Sequence, residues 1–186
     1  MELTETPLKD CVILQPQVFK DERGYFFESY NAEKVNKLLG KKVDFVQDNQ
    51  SRSSYGVLRG LHFQKGEHAQ AKLVRVLEGK VLDVAVDLRP KSPSFGKWFS
   101  VELSDENFTQ LYIPRGFAHG FVVLSPTAIF AYKCDNGYDK ASEGGLFFND
   151  PTLNIDWKVD QKDVVLSDKD RVLPKFSELE FGKLWK

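Results

Sequence analysis

Three histidines, His62, His68 and His119, are the natural candidates for proton chemistry in this chain. An imidazole changes charge near neutral pH, so it can take up or return a proton, or bind a metal. His62 lies in Leu58-Arg59-Gly60-Leu61-His62-Phe63-Gln64. On the two-residue period of a strand, Gly60, His62 and Gln64 face one way and Leu61 and Phe63 the other, toward packing. An imidazole flanked on its own face by a glycine and an amide reads as lining a cavity. His119 lies in Pro114-Arg115-Gly116-Phe117-Ala118-His119-Gly120-Phe121, where a Pro-x-Gly turn leads into a strand and Gly120 permits close backbone approach. A hydrogen-bonded core histidine is the competing reading for each, and spacing alone leaves both readings open.

The spacing of these residues resembles the cupin superfamily. Gly56, five residues and His62 resemble the start of the first cupin motif, and Pro114-x-Gly116-x-x-His119 resembles the second. A metal-binding cupin places a second histidine where this chain has Gln64, and a glutamate where it has Lys72, ahead of Gly79. An ammonium group at that position repels a divalent ion instead of binding it. The expectation is a barrel with no metal, holding Lys72 as a fixed positive charge.

Such residues need a framework of strands. Turn signals recur at short spacing, among them Asp21-Glu22-Arg23-Gly24, Glu78-Gly79, Pro90 to Pro93, Ser125-Pro126 and Glu143-Gly144-Gly145. The rhythm predicts an all-β sandwich or barrel. Strands are expected over 12–18, 24–29, 44–48, 57–64, 97–103, 109–113, 119–124 and 127–134. Residues 72–89 predict a hairpin turning at Glu78-Gly79. Lys72, Val74 and Val76 share one face of its first strand, and Leu82, Val84, Val86 and Leu88 share one face of its second. One helix is expected in the first half, capped by Asn31, striped by Val35, Leu38 and Leu39, and ended by Gly40. The C-terminal third is expected to mix loops with one short helix.

Composition narrows the functional classes. The 186 residues suit one domain. The net charge of −1 gives no reason to expect nucleic acid or an anionic membrane as partner. No run approaches the roughly 18 apolar residues of a membrane span. Residues 1–10 lack the apolar segment of a signal peptide, so the cytoplasm is the expected compartment. The two distant cysteines, Cys11 and Cys134, are expected as buried free thiols.

Seven blocks in order, from Asp21-Glu22-Arg23-Gly24-Tyr25-Phe26-Phe27-Glu28 through Phe45–Asn49, Val57–Gln64, Lys72–Arg75, Asp83–Arg89 and Ile113–Phe121 to Leu166–Asp170, resemble the dTDP-4-dehydrorhamnose 3,5-epimerases. The likeness runs from about residue 8 to about residue 172. It implies a cupin-type double-stranded β-helix, a jelly-roll barrel with a few short peripheral helices, over residues 1–186 as one domain with an N-terminal strand arm and a C-terminal extension. It implies an isomerase that needs no cofactor, acts on a dTDP-4-keto-6-deoxy sugar and works as a homodimer whose N-terminal segment reaches the partner's site. His62 is implied as the base, Asp170 as its carboxylate partner, Lys72 as the cation for an enolate oxygen and Tyr132 as the proton donor on the opposite ring face. Arg23, Glu28, Gln47, Asp48, Asn49, Arg59, His119, Tyr138, Glu143 and Lys169 are implied as substrate-binding positions.

Two departures stand out. Where the family often carries a tyrosine pair, used near the thymine or the sugar, this chain has Gly137-Tyr138, and one residue is added between Trp157 and Asp170. Three other readings compete: an epimerase acting at a single carbon, a metal cupin, and a non-catalytic nucleotide-sugar-binding module.

Overall fold

The computed structural model describes residues 1–185. In chain order its strands are β1 (Glu2–Glu5), β2 (Val12–Gln15), β3 (Phe19–Asp21), β4 (Gly24–Phe26), β5 (Gln47–Ser54), β6 (Leu58–Gln64), β7 (Lys72–Glu78), β8 (Lys80–Asp87), β9 (Trp98–Ser104), β10 (Gln110–Ile113), β11 (Phe117–Val123), β12 (Thr127–Cys134) and β13 (Glu143–Gly145). The helices are α1 (Ala32–Leu39), α2 (Asp168–Arg171) and α3 (Phe181–Leu184), with 3₁₀ turns at Gly66–His68, Gln161–Asp163 and Phe176–Glu178.

Two antiparallel sheets make the body. One runs β1-β2-β10-β7-β12-β5, the other β13-β6-β11-β8-β9, and β3 and β4 form a separate hairpin. The facing sides of the two sheets enclose a core built from Val74, Val76, Val81, Ala85, Phe121, Phe130 and their neighbours. This is the expected all-β jelly roll of the cupin type. β8 is buried on both faces. Val81, Asp83 and Ala85 alternate with Leu82, Val84 and Val86, and the second set packs under the C-terminal segment with Leu146, Phe148, Trp157 and Leu184. That cover explains why so many apolar residues fall in a segment with little regular structure.

Helix α1 forms as its sequence predicts. The Asn31 side chain accepts from the Lys34 backbone N–H, Val35 is fully buried, and Gly40 closes the helix at φ 64°. Strand 127–134 matches the expectation residue for residue, and both cysteines are buried free thiols.

Two expectations are corrected. Residues 72–89 are not a hairpin: β7 pairs with β10 and β12, whereas β8 pairs with β9 and β11. Gly79 is a corner between the sheets. Its φ is 78°, and a β-carbon there would stand 2.1 Å from the Thr127 carbonyl oxygen. A turn signal between two apolar strands fits a hairpin and a sandwich corner equally well, and the pairing partners decide. The strand expected at 44–48 runs instead over Gln47–Ser54. Its sequence, QDNQSRSS, has no apolar alternation because its inner face lines a polar cavity and its outer face is exposed.

Candidate active site

A cavity of about 540 Å³ opens between the sheets. Its walls include Asn49 and Ser51 from β5, Arg59 and His62 from β6, Lys72 from β7, His119 and Phe121 from β11, Phe130 and Tyr132 from β12, and Lys169 and Asp170 from α2. Phe121 and Phe130 stack at 4.1 Å between ring centroids and give it an apolar floor. Polar groups above an apolar floor interact more strongly than they would in water.

His62 and His119 are direct partners across β6 and β11. The register slips by one residue just beyond them, where the backbones nearly touch: a β-carbon on Gly60 would stand 2.5 Å from the Gly120 Cα. Only glycines allow this contact. The close approach expected at Gly120 is present.

Each imidazole is held by a carboxylate. His62 Nε2 lies 2.6 Å from Asp170 Oδ1. Ser167 caps α2 and accepts the Asp170 backbone N–H at 3.1 Å, so the first turn of the helix fixes the carboxylate. Burial pushes the Asp170 carboxyl up, but its hydrogen bond and ion pairing with His62, and the bond from Ser167, outweigh this and hold it below the ordinary range. An anionic Asp170 keeps the proton on Nε2 and leaves the Nδ1 lone pair free.

His119 Nε2 lies 2.8 Å from Asp83 Oδ1, and this pair is buried. Burial lowers the His119 imidazole, and Asp83 offsets only part of the effect. Asp83 Oδ2 has no hydrogen-bond partner. Asp83 was not singled out from sequence. The available signal was an acid at an inward position of an apolar strand, since a buried carboxylate needs a partner.

Lys72 and Tyr132 stand on the facing sheet, with the Lys72 Nζ 5.6 Å from the centroid of the Tyr132 ring. Desolvation by the barrel walls pushes the Lys72 ammonium below the ordinary lysine range, although Cys134, Asp83 and Glu143 pull the other way. Burial raises the Tyr132 phenol, so it stays protonated at neutral pH.

The remaining candidate residues divide by location. Arg59, held by Ser53 at 3.1 Å, and Lys169 bring positive charge to the cavity, and Asn49 lies on its wall. At the rim, the Tyr138 hydroxyl donates to Glu143, which also pairs with Lys169. Gln47 donates to Asn49 and accepts the Tyr138 backbone N–H. Asp48 alternates to the outer face and pairs with Lys133. Arg23 sits on the β3–β4 hairpin against Asp21, and Glu28 pairs with Lys34; neither lines the cavity of its own chain. His68 lies in the 3₁₀ turn after β6, also away from the cavity.

These residues do not suit a divalent metal. Both Nε2 atoms are engaged by carboxylates, Gln64 accepts from the Asp139 backbone, and Lys72 is a cation. Among the described residues no group of three or more His, Cys, Asp or Glu side chains is arranged around a common point.

Fold and site together define a cupin-type jelly roll whose cavity presents two carboxylate-paired imidazoles, an ammonium and a phenol. Residues 5–178 match the family described as dTDP-4-dehydrorhamnose 3,5-epimerase, and the chain belongs to that family. It is 55% identical to the enzyme of that name from Salmonella typhimurium over 174 residues, 94% of each chain. It is also similar to the crystal structure of dTDP-4-dehydrorhamnose 3,5-epimerase from Elizabethkingia anophelis, with 63% identity, TM-score 0.92, and 95% and 97% of the two chains covered. A third relative is the dTDP-6-deoxy-D-glucose-3,5-epimerase of Legionella pneumophila, solved in complex with dTDP-4-keto-L-rhamnose, at 47% identity and TM-score 0.94, covering 100% of this chain and 97% of that one.

Proposed function

We propose that this chain is a dTDP-4-dehydrorhamnose 3,5-epimerase, converting dTDP-4-dehydro-6-deoxy-D-glucose to dTDP-4-dehydro-L-rhamnose by inverting C3 and C5. The observation that carries the proposal is that an oriented imidazole on one sheet and an ammonium with a phenol on the facing sheet share one cavity.

The C4 ketone acidifies the protons at C3 and C5. His62 removes one through Nδ1, while Asp170 steadies the resulting imidazolium. The electron pair moves onto O4 as an enolate, and Lys72 neutralises it in a site of low dielectric. Tyr132 returns a proton to the other face of the carbon, which inverts it. His62 then loses its proton to solvent, Tyr132 regains one, and the sequence repeats at the second carbon. Arg59 and Lys169 bind the diphosphate, and Tyr138 meets the nucleotide base at the rim. Gln47, Asn49 and Glu143 hold the rim and wall around the sugar nucleotide, and His119 lies beside the ring.

The whole chain acts as one epimerase domain, cytoplasmic and homodimeric, in the pathway to dTDP-L-rhamnose and its cell-surface polysaccharides. Arg23, Glu28 and Asp48 serve the partner's cavity or the junction with it. Support comes from the hairpin, whose Phe19, Tyr25 and Phe26 are 56%, 56% and 70% exposed beside an Arg23 that pairs with its own neighbour Asp21. Among the described residues no helix is long and apolar enough to cross a membrane.

Incubation of the protein with dTDP-4-dehydro-6-deoxy-D-glucose in D₂O tests the reaction. Two deuterons, at C3 and C5, are expected in the product. One deuteron identifies a single-carbon epimerase, and binding with no exchange rejects catalysis.

A further inference from the structure

Gln64 occupies the place of a metal-ligating histidine in the cupin pattern, and the reaction above gives it no task. It is the last residue of β6, is 6% exposed, and does not line the cavity. Its Oε1 accepts the Asp139 backbone N–H at 3.0 Å. One residue earlier, the Tyr138 N–H donates to Gln47 Oε1 at 3.1 Å. Two consecutive amides of the loop between β12 and β13 are therefore captured by glutamine side chains from opposite sheets. The dipeptide is pinned from both walls, and Tyr138 stands on it.

The loop is also anchored on either side of this dipeptide: before it, Asn136 bonds to Gln70 and Glu67 and Asp135 to Ala71 and Arg115. Asp139 Oδ1 accepts the Ser142 N–H at 2.7 Å, and Lys65 N–H donates to the Ser142 carbonyl at 2.8 Å. The Tyr138 ring is 55% exposed, and its hydroxyl reaches Glu143 at 3.2 Å. An exposed aromatic gains little fixed geometry from packing, so its position is set by the backbone beneath it.

We propose that Gln64 is a positioning residue for nucleotide binding, acting with Gln47 to hold Tyr138 over the rim of the cavity. The assignment rests on the reading of Tyr138 as the residue that meets the base. A side chain that ligates metal in other cupins here orders the loop that receives the ligand.

The test uses the full chain and dTDP as probe, with affinity read by titration calorimetry. Gln64→Met removes the acceptor at nearly constant volume. Loss of one ordering hydrogen bond is expected to weaken dTDP roughly 5- to 10-fold. Turnover at saturating substrate should stay within about twofold, so the loss appears in KM. Gln64→Glu, which keeps an acceptor oxygen, should restore most of the affinity. In a Tyr138→Ala background, Gln64→Met should add less than about twofold. Should Gln64→Met not fold, Gln64→Asn, whose amide cannot reach Asp139, is expected to show the same loss.

A folded Gln64→Met protein with native dTDP affinity overturns the proposal. So does an equal loss in the presence and absence of Tyr138, or a fall in saturating turnover that matches the fall in affinity. Calorimetry needs no turnover. A native chain that binds dTDP through Tyr138 without epimerising overturns the reaction proposed above and leaves this assignment in place.

Discussion

The molecule contains two imidazole–carboxylate pairs side by side, and they differ in almost everything except chemistry. His62–Asp170 spans 2.6 Å, with 30% of the His62 side chain exposed. His119–Asp83 spans 2.8 Å, with only 7% of the His119 side chain exposed and none of Asp83. The second pair is built within one sheet, between β11 and β8. The first is completed by α2, which follows all the strands of the barrel. An imidazole acts as a base only where substrate can reach it. The pair that borrows its carboxylate from outside the sheet keeps an open side, whereas the pair made inside the sheet is almost wholly buried and only touches the cavity wall. Asp83 also pulls the Lys72 ammonium upward, against the larger effect of desolvation.

The largest effect should come from removing the open imidazole. His62→Ala is expected to slow deuterium exchange at both carbons by roughly 10³-fold or more while leaving dTDP affinity nearly intact. Normal exchange in that variant would transfer the base to another residue and undo the contrast.

Lys72→Met should lower turnover by roughly 10²- to 10³-fold with a smaller change in binding. A change in affinity alone contradicts the enolate role. The same lysine sets a pH limit. Its cation is present below its folded pKa and lost above it, and burial has moved that pKa below the ordinary lysine range. The alkaline limb of turnover is therefore expected below that range, and it should disappear in Lys72→Met.

Tyr132→Phe should cost roughly 10²-fold by leaving the intermediate without its donor. Rapid solvent exchange at a carbon with stalled inversion would be its signature; unchanged turnover would reject the role.

The smallest effects on rate but the clearest on stability should separate the two carboxylates. Asp83→Ala leaves a buried imidazole unpaired and is expected to cost about 1–3 kcal/mol of unfolding free energy, read by denaturant titration. Asp170→Asn should cost less stability and more rate. The folded pKa of Asp170 is depressed, so its contribution to stability is complete above the ordinary carboxylate range. That contribution is lost as pH falls through the lower folded value. The acid limb of the stability curve should accordingly flatten in Asp170→Asn. An equal stability loss at both positions would mean that the two pairs do not differ as described.

Much of the site was legible in the residues. Alternation put His62, Lys72 and Tyr132 on the faces that line the cavity, the resemblance to the family added His119, and the strands that hold them lie close to the expected ranges. Asp83 escaped notice because it sits in an apolar run whose other face is also buried, so no polarity contrast marks it. Most of β5 escaped because a strand lining a polar cavity lacks the pattern that reveals strands. The residue added between Trp157 and Asp170 does not take that carboxylate out of reach of His62, and the Ser167 cap fixes its backbone on α2.

The sequence by itself determined the all-β class, the inward side chains, the helix with both its caps, and a Lys72 charge unsuited to a metal centre. These depend on period, local backbone preference and residue chemistry, each carried by neighbouring residues. Only the tertiary structure decided that Gly79 turns a corner between sheets, that His62 and His119 stand opposite one another, and that Asp83 serves His119. Those facts depend on pairing between segments far apart in the chain, and the one-dimensional pattern of each segment is the same whichever partner it meets.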